Sequence, residues 1–220
     1  MRYELRYKPA FATVFLTLKP GDRITAEADA MASMSGATTM KTEFSGGLIP
    51  ALLKAFLGGE SLFVNTFSNS TQQDQQVVLT QSTIGDVEIL ELKNNSICLQ
   101  PGAFIACTPG VSMGVQWAGL ASWFSGEGLF KLKLSGKGLV FFGAYGGLIK
   151  RRVQGEFVVD TGHLVAYDPS IQMNVRMSGG LFGSVTSGEG LVNKLTGNGN
   201  IYLQSRSFDG LVKFVRPKLR

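Results

Sequence analysis

Apolar and polar residues alternate along most of this chain with a period of two. Tyr3/Leu5/Tyr7, Val87/Ile89/Leu92 with intervening acids, Leu132/Leu134 between Lys131 and Lys133, and Val175/Met177 around Arg176 all follow it. That period belongs to half-buried strands. Val77-Val78-Leu79, Leu139-Val140-Phe141-Phe142 and Phe157-Val158-Val159 are instead continuously apolar, the pattern of strands covered on both faces. Lys93-Asn94-Asn95-Ser96, Ser135-Gly136-Lys137-Gly138 and Thr196-Gly197-Asn198-Gly199 carry turn chemistry. One helix is expected, Pro50 to Leu57, opened by Gly46-Gly47 and closed by Gly58-Gly59. The fold class is therefore all-β.

The pattern also repeats. Gly59-Glu60-Ser61-Leu62-Phe63, Gly126-Glu127-Gly128-Leu129-Phe130 and Gly188-Glu189-Gly190-Leu191-Val192 are variants of one phrase, their glutamates 67 and 62 residues apart. Pro20-Gly21, Pro101-Gly102 and Thr161-Gly162 each precede a strand-like run. Such self-similarity predicts three uses of one unit, about 1–83, 84–146 and 147–220, within a single domain, 1–220. Matching the two phrases puts about 14 extra residues in the first repeat, and these include the predicted helix.

Composition narrows the reading. Twenty-eight glycines and 15 phenylalanines in 220 residues suit short strands and tight turns. Cys98 and Cys107 form no C-x-x-C motif and read as reduced strand residues. Met1 to Lys8 resembles neither a signal nor a transit peptide, and no apolar run is long enough for a spanning helix, so the cytoplasm is expected. The net charge of +5 is modest and collects in Lys150-Arg151-Arg152 and in Lys213, Arg216, Lys218 and Arg220, which read as a solvated surface and a basic tail.

Several phrases in order resemble one family. They are Ser33-Met34-Ser35, Met40-Lys41-Thr42, Gly46-Gly47, the three Gly-Glu phrases, Val159-Asp160-Thr161-Gly162-His163-Leu164-Val165-Ala166 and Gln204-Ser205-Arg206. From about Tyr3 to Arg206 the chain resembles the mitochondrial-biogenesis family called "altered inheritance of mitochondria, member 24", in a prokaryotic form. The resemblance implies a fold like the tryptophan RNA-binding attenuation protein: double-stranded β-helix or sandwich units, in about three repeats, with one short helix inserted in the first. It implies relatives that assemble into rings and eukaryotic members tied to inner-membrane organisation. It supplies no catalytic residues. Asn193-Lys194-Leu195 is one residue shorter than Lys131-Leu132-Lys133-Leu134, which leaves the register of the third repeat open.

Candidate chemistry is sparse. His163, the only histidine, opens an apolar strand and reads as a hydrogen-bonded structural residue, with no Gly-x-Ser-x-Gly elbow to make it part of a triad. Two isolated cysteines and one histidine lack zinc-ligand spacing, and no phosphate-binding loop occurs. Glu60, Glu127 and Glu189 could converge on a cation, but a carboxylate after glycine in a tight turn has a structural reason to recur. Trp117, Trp123 and Phe124 could stack bases or line a subunit contact, with core packing the commoner fate of aromatics. No catalytic, cofactor-binding or metal site is expected. The expected function is a non-enzymatic scaffold, a homo-oligomer and most plausibly a trimer, with a protein or membrane-surface partner. Its candidate surfaces are Leu52, Leu53 and Phe56 on the predicted helix, whose nearly all-round apolar surface reads first as a plug for a barrel end and otherwise as a contact, and the basic Lys150, Arg151 and Arg152. The alternative is a ring that binds RNA or single-stranded nucleic acid.

Overall fold

The computed structural model describes residues 1–44, 63–100, 102–117, 130–177 and 191–219. The strands are β1 (Arg2–Arg6), β2 (Thr13–Leu18), β3 (Arg23–Glu27), β4 (Met31–Met34), β5 (Thr39–Phe44), β6 (Phe63–Ser68), β7 (Gln75–Leu79), β8 (Gly85–Leu99), β9 (Phe104–Cys107), β10 (Val111–Trp117), β11 (Phe130–Tyr145), β12 (Leu148–Asp160), β13 (Leu164–Tyr167), β14 (Ile171–Met177) and β15 (Leu191–Gln204). One sheet has the order β1-β2-β7-β4. The other runs β12-β15-β13-β8-β11-β9-β3-β6-β5, with β10 against β11 and β14 against β15. Every named pairing is antiparallel. The chain is nearly all β, as expected. Among the described residues the departure is a C-terminal helix, α1 (Phe208–Val215), in the segment that the sequence presents as a basic tail.

Chain length forces the long strands to bend. Leu132 of β11 pairs with Leu99, and Phe142, ten residues on, pairs with Phe104. A straight strand would separate Leu132 from Phe142 by about 33 Å. The five residues from Leu99 to Phe104 reach about 18 Å at most, and two inter-strand spacings add only about 10 Å. Strand β11 must therefore fold over between these points. The same argument holds for β15, where Asn193 pairs with Val159 and Leu203 with Leu164.

The corners sit where turns were expected. Ser135–Gly138 and Thr196–Gly199 lie inside β11 and β15, and Lys93–Ser96 lies inside β8, with the register shift opposite Gly136/Lys137. At the β11 and β15 corners a neighbouring loop presses on the bent strand. A Cβ on Gly136 would stand 2.2 Å from the Gly110 carbonyl, and one on Gly197 would stand 2.4 Å from the Ser170 carbonyl. Glycine is required there because the approaching atom is backbone.

A side-chain clamp accompanies each close approach. Thr108 donates its N–H to the Leu139 carbonyl (2.9 Å), and its Oγ1 accepts from the Leu139 N–H (2.8 Å). Asp168 does the same with Asn200, at 2.9 and 2.7 Å, and Ser35 with Gln76, at 2.8 Å in both bonds. Here the bent strand is interrupted, and Asn69–Asp74 separates β6 from β7. Asn69 holds that interruption by donating to the Leu18 and Gln73 carbonyls, both at 2.8 Å.

The three clamps allow three stretches of the chain to be laid side by side. Beside them lie three bulges: Met31↔Leu79 then Ser33↔Val78, Phe104↔Phe142 then Ala106↔Phe141, and Leu164↔Leu203 then Ala166↔Tyr202. In this register β2 and β3 together match β8 and β12, β4 matches β9 and β13, and β6 with β7 matches β11 and β15. Pro20-Gly21 thus falls opposite the Lys93-Asn94 position rather than Pro101-Gly102. Gly21 and Asn94 both have positive φ, at 82° and 63°. The first segment's surplus also shrinks, because the connection 45–62 is six residues longer than 118–129, not fourteen. The third register follows as well, since Met113↔Leu134 and Met173↔Leu195 occupy the same place in their hairpins.

Two junctions join the segments. β9 pairs with β3 through Thr25↔Cys107 and Ala26↔Ala106, and β13 pairs with β8 through Cys98↔Tyr167 and Leu99↔Ala166. The core follows them. One apolar cluster packs Ile24 and Ala26 with Ile105 and Ala106, and another packs Ile97 and Leu99 with Val165 and Ala166.

Substituting Gly136→Ala should destabilise the protein by about 2 kcal/mol or more, because the new methyl displaces backbone. Gly155→Ala, where φ is +91° and no atom lies within 4 Å, should cost about 1–2 kcal/mol. Denaturant melts of the two variants would check the order. At the Asp168 clamp, Asp168→Ala should cost about 1.5–3 kcal/mol, and Asp168→Asn, which keeps an acceptor, should recover part of it in the same assay.

Candidate interaction surface

The basic triplet lies on β12, an end strand of the eleven-stranded sheet. Lys150 places its Nζ 5.5 Å from the centre of the Tyr202 ring, Arg151 stacks its guanidinium 4.3 Å over Phe157, and Arg152 donates to Asn198 Oδ1 at 2.8 Å. Successive side chains leave a strand on opposite faces. Arg151 accordingly points away from the side that Lys150 and Arg152 occupy, and no single face gathers all three charges.

A second surface is legible only in the structure. Ser207 caps α1 by accepting the Gly210 N–H at 3.3 Å, and Asp209 sits in the first turn. Phe208, Leu211, Val212 and Val215 follow the i, i+3, i+4, i+7 spacing of one helical face. Lys213 and Arg216 lie to the side, and Lys218 Nζ stands 4.4 Å over the Phe214 ring. No residue of α1 is buried, and Phe214 is 65% exposed. Eight residues are too few for a stable helix in water without packing. The signal in sequence was Ser207, Asp209 and that spacing, with Pro217 just beyond.

Other expected features fall as follows. Leu52, Leu53, Phe56, Glu60, Glu127, Glu189, Trp123 and Phe124 lie outside the described residues, as does the Pro50–Leu57 helix. The strands beside the Gly-Glu phrases do meet, through Phe44↔Phe63, Trp117↔Phe130 and Met177↔Leu191. His163 holds its Nδ1 2.7 Å from the Gln204 carbonyl, which places the ring proton on that nitrogen. Gln204 Nε2 donates to the Gly162 carbonyl and its Oε1 accepts from the Tyr145 N–H, so this histidine belongs to a structural junction. Lys131, expected on the polar side of a half-buried strand, is fully buried, and its Nζ donates to Gln100 Oε1. The Gln100 N–H in turn donates to Val165, across the junction. Among the described residues no three His, Cys, Asp or Glu side chains cluster as metal ligands, and no helix is long and apolar enough to cross a membrane.

Cys98 and Cys107 are reduced thiols, both buried. Burial pushes Cys98 up to about 11 and Cys107 up to about 12. Only thiolates attack disulfide reagents readily. Both cysteines should stay silent to a thiol-titrating reagent at pH 8 and react once denaturant unfolds the chain. Rapid labelling of either one in the native protein would contradict the burial.

The sequence profile of the mitochondrial biogenesis AIM24 family matches residues 3–206. An uncharacterised protein of Streptococcus pyogenes serotype M6 is 25% identical over 229 residues, covering 99% of this chain and 92% of its own. The crystal structure of a Streptococcus pyogenes protein superposes with a TM-score of 0.81 at 25% identity, over 99% of both chains. With the match running through both junctions and all three clamps, the chain belongs to the mitochondrial biogenesis AIM24 family.

Proposed function

We propose that this protein is a non-enzymatic, oligomeric scaffold that holds an interaction surface against an anionic membrane. Three copies of one two-layer unit, of the double-stranded β-helix type, form its rigid part, and the three clamps and three bulges in matching register support that reading. The proposed assembly is a homo-oligomer, with a trimer as the working copy number.

One observation carries the membrane reading: α1 exposes an apolar face flanked by Lys213, Arg216 and Lys218. A helix with that division lies in the plane of a lipid interface, its apolar side chains among the acyl chains and its cations at the headgroups. Anionic lipid adds about 1 kcal/mol for each cation near the surface. Nucleic acid is the weaker reading, because it requires cations aligned along one face, and the triplet on β12 splits between two.

The protein should sediment with vesicles containing phosphatidylserine and remain in solution with phosphatidylcholine alone, the difference shrinking as salt rises. Phe208→Ser with Leu211→Ser should abolish sedimentation and leave the β-sheet circular dichroism unchanged, since neither side chain is part of the core. Binding that survives the double substitution, or a wild-type protein indifferent to anionic vesicles, would remove α1 from this role.

A further inference from the structure

Each junction between segments joins an edge of one to an edge of the next, and the chain ends with one of each left over. β4 occupies the place that β9 and β13 fill in the junctions, yet it closes the four-stranded sheet with no outer strand among the described residues. The end of β12 occupies the place of β3 and the end of β8, and it closes the other sheet in the same way. Phe157-Val158-Val159 has the composition of a strand covered on both faces, but Val158 is 53% exposed. Its counterpart Cys98 is fully buried, while Thr25 at the third such position is half-buried. Met34 is 36% exposed, where its counterparts Cys107 and Tyr167 are buried. Ala32, extra residue of the β4 bulge, is exposed, and its counterparts Ile105 and Val165 lie in the core.

We infer that β4 of one copy pairs antiparallel with the 157–160 end of β12 in a second copy, repeating the internal junction. The register follows from the two junctions inside the chain: Met34 lies opposite Val158 of the second copy, and Ser33 lies opposite Val159, as Cys107 lies opposite Thr25 and Ala106 opposite Ala26. Two exposed apolar side chains then cover one another, and both open edges acquire partners. The contact is head-to-tail, so it closes a ring when the rotation permits. This inference rests on the proposed equivalence of the three segments.

Cysteine pairs test the two levels separately. Thr25→Cys stands opposite native Cys107, and oxidation should link them within one chain, detected by mass spectrometry of the digested protein. Failure there would overturn the assumed segment register itself. The Met34→Cys and Val158→Cys chains, mixed and oxidised, should link to each other, with neither linking to itself. A chain carrying both substitutions should give a ladder of covalent multimers. Linkage of Thr25→Cys to Cys107 without any linkage between the mixed chains would leave the segments standing and refute the end-to-end contact. Light scattering on the wild type at micromolar concentration should give a multiple of the 23.6 kDa chain mass, and Val158→Lys should reduce it to a single chain with the melting curve of the folded chain retained. A wild type of one chain mass would also overturn the contact.

Discussion

The fold depends on a mismatch of lengths. A strand of fifteen or so residues is held at both ends by neighbours that the chain joins with a short turn, so the strand cannot stay straight. Everything regular about the molecule follows from where it bends. The bend needs a backbone that tolerates another backbone at van der Waals limits, hence Gly136 and Gly197, and it needs its exposed N–H and C=O groups occupied, hence Thr108 and Asp168. A buried amide without a partner costs about as much as a lost hydrogen bond. The paired clamp removes that cost at the point where the ladder is most distorted. The first segment solves the same problem differently, by breaking the strand and letting the Asn69 side chain bridge the gap.

Strand identity was legible because alternation and continuous apolar runs report the faces that water reaches. Turn chemistry was less so. Ser135–Gly138 carries the residues of a hairpin turn, yet it sits within β11, since a bulged bend and a reversal both draw on glycine and small polar residues. The Pro-Gly phrases show the same ambiguity. Gly21, Asn94 and Gly102 all have positive φ, so Pro20-Gly21 matches Pro101-Gly102 in composition while its strand pairings line it up with Asn94. Pairing partners distinguish the corners, and residue types alone do not.

The least legible features were those decided by distant neighbours. Lys131 alternates with leucines as a solvent-facing residue would, but Gln100 at the end of β8 meets it inside the protein. His163 was read as structural from its apolar setting, and its partner, Gln204, comes from a strand forty residues away. Helix α1 was hidden by its charges: Lys213 and Arg216 drew attention to a tail, although the apolar spacing between them is helical.

The distribution of charge along β12 has a consequence of its own. An exposed strand end will pair with almost any extended peptide, a route to aggregation that proteins commonly block with cations. The first half of β12 carries Lys150, Arg151 and Arg152, while the second half carries Glu156 and then the apolar Phe157, Val158 and Val159. A stray strand that slid along this edge would have to accommodate a bank of fixed cations and lose its shelter within a few residues. The charges therefore act as a fence, one that leaves a gap only a few residues wide and so decides the length and position of any strand admitted there.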